Sequence, residues 1–147
     1  MTSPSAENIY EDDAPDIARE RLLERAAAGD HDAEFYLGHL AEEASPPDRD
    51  LALRWYTKAA QAGHLEAQHW AASFMYFGMA TEQDVDGAVS QFRACAEKGL
   101  EASQWKLGQH LLALPGQRTE ALGWLRLAAA QGHSGAIELL ASEGEAQ

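Results

Sequence analysis

Four glycines, Gly29, Gly63, Gly99 and Gly132, stand 34, 36 and 33 residues apart, and the residues around them keep step. Eleven residues before each glycine stands an alanine: Ala18, Ala52, Ala88 and Ala121. Three before it stands another: Ala26, Ala60, Ala96 and Ala129. Four after it come Ala33, Ala67, Ser103 and Ala136. Eight and nine after it come Leu37-Gly38, Ala71-Ala72, Leu107-Gly108 and Leu140-Ala141. Small residues in register at this period mark an array of helical repeats.

The columns have a physical meaning. Residues three and eleven before the glycine are eight apart and share one stripe of a helix. A stripe of alanines lets a neighbouring helix approach closely, while Trp55, Tyr56, Phe92, Trp124 and Leu125 fill the adjoining spaces. Each glycine follows a last helical turn, where a left-handed residue ends the helix at little cost. Further breakers stand at Ser45-Pro46-Pro47-Asp48, between Gly78 and Asp86, and at Pro115-Gly116. The pattern predicts antiparallel helix pairs, with helices at about 15–28, 31–43, 49–62, 65–77, 84–98, 101–113, 118–131 and 134–142, and no strand. In the first helix Ile17, Ala18, Leu22 and Ala26 are expected to face inward. Residues 1–14 read as a flexible acidic segment, 15–142 as one repeat domain and 143–147 as a polar tail.

Charge narrows the partners. Acids outnumber bases 24 to 11, for a net charge of −13. Residues 1–43 alone hold twelve acids and three bases. Such a surface repels nucleic acid and anionic bilayers, and it steers a basic protein toward the acidic end. The N-terminus lacks the basic start and apolar stretch of a signal peptide, so a cytoplasmic location is expected.

The stretch from Trp55 to Gln68 (WYTKAAQAGHLEAQ) resembles the signature of the Sel-one-like repeat (SLR) family, a relative of the tetratricopeptide repeat. Phe74 to Gly78, followed by Asp84 to Ala88, resembles the segment that joins its two helices. The resemblance runs over roughly residues 18–142. Ala71-Ala72 departs from the usual Leu-Gly and Ser103 from the usual alanine. It implies an all-α, right-handed solenoid of antiparallel helix pairs, about eight helices in all. It also implies a non-enzymatic module for protein–protein interaction.

Residues for chemistry are few. Cys95 occupies the column that holds Ala59 and Ala128, which points to packing. His64 and His133 follow turn glycines, while His31, His39, His69 and His110 form no ligand pair at i,i+4. No phosphate-cradling glycine loop or serine elbow is present. The expectation is therefore no catalytic residue, no metal and no cofactor. By analogy with tetratricopeptide arrays, the first helix of each pair lines a concave side. That places Asp32, Phe35, His39, Glu42 and Glu43 of the first repeat on it. Glu66, His69, Ser73, Tyr76 and Phe77 of the second join them, with Trp105 and Gln109 of the third. Aromatics ringed by acids suit a protein-binding groove. Phe35, His69 and Trp105 also fit a packing column. The expected role is an adaptor binding one protein with a basic surface; the sequence leaves the oligomeric state open, with a monomer favoured over an oligomer. An immunity protein neutralising a basic bacterial toxin is the alternative, and a hydrolase a third class without a nucleophile in place.

Overall fold

The computed structural model describes residues 2–144. Among them stand nine helices and no strand: α1 (Ala6–Asp12), α2 (Pro15–Ala27), α3 (His31–Glu43), α4 (Arg49–Gln61), α5 (Leu65–Phe77), α6 (Val85–Glu97), α7 (Glu101–Leu112), α8 (Arg118–Ala130) and α9 (Ser134–Ser142). Helices α2 to α9 are the eight that the repeat pattern predicts, with ends displaced by at most one residue. The chain divides into two compact units, one ending at Gln83 and the other starting at Asp84.

The glycine turns explain the precision. Gly29, Gly63, Gly99 and Gly132 have φ of 91, 94, 94 and 95°, the left-handed region that glycine enters without a Cβ penalty. The next residue sends its N–H back to a carbonyl five positions earlier: Asp30 to Arg25, His64 to Ala59, Leu100 to Cys95 and His133 to Ala128. This is the Schellman closure of the preceding helix. The same residue starts the following helix. Asp30 Oδ1 accepts from the Ala33 N–H at 3.2 Å, and His64 and His133 use Nδ1 to accept from the Ala67 and Ala136 N–H groups at 3.2 Å. Leu100 has no acceptor to offer, and α7 has no side-chain cap.

Packing within each unit follows the columns. Seven residues before each turn glycine stand Leu22, Tyr56, Phe92 and Leu125, all fully buried, with Ala18, Ala52, Ala88 and Ala121 beside them in sequence terms, one helical turn away. The glycine of the Leu-Gly pair makes room for that large side chain. A Cβ on Gly38 would lie 2.4 Å from the Tyr56 ring, and one on Gly108 would lie 2.7 Å from Leu125. The column three before the glycine is mixed, with Ala26 and Ala96 buried as expected, while the position just before it is the deeper one in the other repeats. Ala59, Cys95 and Ala128 are fully buried, whereas Ala60 and Ala129 are only half-buried. Ile17, expected inside, is 54% exposed; the neighbouring Ala18 takes the inward position, a rotation of about 100° around the helix.

Within residues 1–14, expected as a flexible acidic segment, Ala6–Asp12 form α1. Ser5 Oγ caps it by accepting from the Asn8 N–H at 3.1 Å. Ala6 and Ile9 bury themselves against a cluster containing Leu22, Ala26, Leu37 and Leu40. Burial of two apolar side chains outweighs the acidity that made the segment look solvated. Arg25 Nη1 also donates to the Pro4 carbonyl at 2.6 Å. Of the expected polar tail, residues 145–147 lie outside the described residues. No helix among the described residues is long and apolar enough to cross a membrane.

Candidate functional site: an acidic and aromatic face of the first unit

In the first unit α3 carries Asp32, Phe35, His39, Glu42 and Glu43 along one stripe, and α5 carries Glu66, His69, Ser73, Tyr76 and Phe77 along another. Their surroundings differ sharply. Phe35 is 7% exposed; its ring stacks on His64 at 4.7 Å and meets His39 edge-on at 4.6 Å. Ser73 is buried and its hydroxyl donates to the His69 carbonyl at 3.0 Å. These two offer a partner little more than an edge. His39 is half-buried among the rings of Tyr10, Phe35, Tyr56 and Trp70. Asp32, Glu43 and Glu66 are exposed, Glu42, His69 and Tyr76 half-buried, and Phe77 is 56% exposed with its ring edge-on to Tyr76 at 5.0 Å.

Two of the acids are engaged by tyrosine hydroxyls. The Tyr56 hydroxyl donates to Glu42 Oε2 at 2.5 Å and lies 3.2 Å from His39 Nδ1. The Tyr10 hydroxyl of α1 donates to Glu43, and the Tyr10 ring stacks on Tyr36 at 5.0 Å. Sequence reasoning missed Tyr10 because it lies outside the repeat. Tyr36 sits one position past the stripe and His64 follows a turn glycine, so helical spacing singles out neither.

Electrostatics makes these groups donors and apolar walls. Burial, then the Glu43 acceptor, pushes the Tyr10 phenol up, and burial, then Glu42, does the same to Tyr56. Burial and the carboxylates of Glu7, Glu66, Asp32 and Glu11 push Tyr36 up to about 12. His39 is pushed down because burial outweighs the attraction of Glu42, Glu43 and Glu66 for its charged form. A further buried carboxylate, Glu34, is 1% exposed; it meets Lys58 Nζ at 3.1 Å and His31 Nδ1 at 2.9 Å.

In the second unit Trp105 is half-buried, stacked on His133 at 4.8 Å, and Gln109 is exposed. Cys95 is fully buried there, and burial pushes its thiol up, away from a nucleophile's range. Among the described residues no group of three or more His, Cys, Asp or Glu side chains is placed to hold a metal ion.

The Sel1 repeat, as a family profile, matches residues 31–64 and 102–133. These are α3–α4 and α7–α8, the first match ending at the cap histidine His64 and the second at His133. Residues 31–64 and 102–133 thus each match a Sel1 repeat. Its fold superposes on the crystal structure of c5321, a protective antigen of uropathogenic Escherichia coli strains displaying an SLR fold. The TM-score is 0.75 with 28% identity over 93% of this chain and 31% of that one. A Sel1 repeat protein from Oxalobacter formigenes gives 0.71 with 24% identity, over 88% of this chain and 39% of that one. The chain thus spans about a third of the length of these structures. No curated protein matches it. Sel1 repeats are in general protein–protein interaction modules. Inside each matched Sel1 repeat the aromatic of the first helix stacks on the histidine that ends the repeat, Phe35 on His64 and Trp105 on His133.

Proposed function

We propose that this Sel1-repeat chain is a non-enzymatic adaptor that binds a protein with a basic surface through the α3 and α5 stripes of its first unit. The observation that carries this reading is Phe77. A large aromatic, 56% exposed, stands on the α5 stripe that begins with Glu66, next to an α3 stripe carrying Asp32 and Glu43. An exposed ring supplies contact area, and acids elsewhere on the two stripes select a basic partner and speed its arrival. The net charge of −13, with twelve acids in the first 43 residues, supports the same sign of partner.

The test begins with co-purification from the native cell and mass spectrometry of what is retained. With that partner, association should slow several-fold as salt rises, because exposed charges are screened beyond about 8 Å at physiological ionic strength. Phe77→Ala should speed dissociation and cost about 2 kcal/mol of affinity. Binding that ignores both salt and Phe77→Ala overturns the reading. A tight, unique pairing with a secreted toxin would make the chain an immunity protein; a weaker partner shared with other proteins is the adaptor outcome.

A further inference from the structure

His39 stands in the middle of the first unit's aromatic rings. Tyr10 of α1, Phe35 and Tyr36 of α3, Tyr56 of α4 and Trp70 of α5 have ring centroids 5.8, 4.6, 6.1, 5.6 and 5.3 Å from its own. The titratable and charged groups that face it are Tyr10 from α1, Tyr36, Glu42 and Glu43 from α3, Tyr56 from α4 and Glu66 from α5. Glu7 and Glu11 of α1 bear on the neighbouring Tyr36.

The hydrogen bonds fix where the ring carries its hydrogen. The Tyr56 hydroxyl has one proton and gives it to Glu42 Oε2 at 2.5 Å. Toward His39 Nδ1, 3.2 Å away, the same oxygen can then only accept. Nδ1 therefore holds the ring hydrogen, and the basic lone pair lies on Nε2. Every buried side-chain nitrogen or oxygen among the described residues has a hydrogen-bond partner. Nε2 has none among them, so it is open to solvent and can take up a proton without a local opening.

Charging this ring and docking α1 oppose each other. Burial disfavours the imidazolium, and the Tyr10 ring supplies part of that burial. The Glu43 carboxylate favours the imidazolium, and the Tyr10 hydroxyl engages it. Undocking α1 removes a burial penalty and frees a carboxylate for His39, so both effects have one sign. Helix α1 is also lightly held. It has seven residues, of which Ala6 and Ile9 are buried. Its remaining anchors, Asp13 to Arg21 at 2.7 Å and the Pro4 carbonyl to Arg25 at 2.6 Å, run to α2 and tether it while it leaves α3. Short segments with few buried contacts open far below global unfolding.

We infer that His39 is a proton switch for α1: a neutral ring keeps α1 docked on α3, and a charged ring releases it and uncovers Tyr36 and Glu43. The docked chain holds His39 below its ordinary value of 6.5, whereas the released chain lets it charge nearer that value. Docking is therefore at full strength above 6.5 and weakens as pH falls below it. The consequence for binding rests on the reading of the α3 stripe as the partner's face, which acid would uncover; the switch itself does not.

The full chain is tested without a partner. Long-range nitrogen–proton NMR of the His39 ring reports its tautomer and its titration. Amide hydrogen exchange, corrected for intrinsic rates, reports the opening of α1. The expected ring carries its hydrogen on Nδ1 when neutral and titrates below 6.5. Between about pH 7.5 and about pH 5.5 the opening of α1 should become about tenfold more frequent, with α4 unchanged. His39→Gln, which keeps a donor toward Tyr56, should abolish that pH dependence. Tyr10→Ala should move the His39 titration up toward 6.5, the reciprocal effect that linkage requires and that a purely structural Tyr10 would not produce. A hydrogen on Nε2, a titration at or above 6.5, or an α1 that opens equally at both pH values overturns the switch. So does the same pH dependence in His39→Gln, or a His39 titration unmoved by Tyr10→Ala. The broader reading fails separately. If these results appear while the partner ignores salt and Phe77→Ala, the switch stands and the partner reading falls. If α1 opens equally at both pH values while Phe77→Ala weakens binding, the reverse holds.

Discussion

Gly38 lies directly under the ring of Tyr56: a Cβ at that position would stand 2.4 Å from Cε1 and 2.6 Å from Cδ1. The missing side chain on α3 lets α4 approach closely enough to bury the whole tyrosine, whose hydroxyl then reaches Glu42. Gly108 repeats the relationship with Leu125 in the second unit.

Gly38→Ala should therefore destabilise the chain. Overpacking costs about 1–3 kcal/mol, and the better helix propensity of alanine returns up to about 1 kcal/mol. Chemical denaturation of Gly38→Ala checks this. A gain in stability would mean that Tyr56 moves aside freely.

His64 has two duties, capping α5 and stacking on Phe35. His64→Ala should lose both, about 0.5–2 kcal/mol for the cap and about 0.5–1.5 kcal/mol for the stack. His64→Asn should recover the cap alone and melt between the two. Equal melting of both variants would show that only the ring matters.

The tyrosine cluster sets a pH dependence. Tyr10, Tyr36 and Tyr56 all hold their protons more tightly when folded than the ordinary value of 10.0. Above pH 10 the unfolded chain releases protons that the folded chain retains, so the stabilisation is complete below pH 10 and is lost as pH rises. For Tyr36 that loss runs from 10 up to about 12. Tyrosinate absorbance should lag during an alkaline titration and then rise together with loss of helical circular dichroism. A smooth tyrosinate curve centred at 10 with the helices intact contradicts the cluster.

Cys95 packs in the column where Ala59 and Ala128 stand. Cys95→Ala should keep partner binding and cost little stability, whereas Cys95→Leu should overpack by about 1–3 kcal/mol. A thiol reagent should react slowly with the native chain and quickly in denaturant, since burial pushes the thiol up. Rapid native labelling would place the thiol at the surface.

The sequence by itself determined the helices and their ends. A turn glycine at φ near 90°, the carbonyl five residues before the position that follows it, and the cap that same position provides are all neighbours along the chain. Local chemistry of that kind needs no tertiary partner. The resemblance to the Sel1 repeat follows from the same columns. The tertiary structure decided which member of a stripe goes inside. Ala59 rather than Ala60, and Ala18 rather than Ile17, differ by one residue, a rotation of about 100°, and only the position of the packed neighbour selects between them. It also turned Phe35 from a surface candidate into a packed ring, and bound Glu42 and Glu43 to tyrosines distant in sequence. Helix α1 is the clearest case. Its acids read as solvated, and Ile9 and Tyr10 become informative only once α2 and α3 exist to receive them, because burial is a property of two surfaces and a sequence segment displays one.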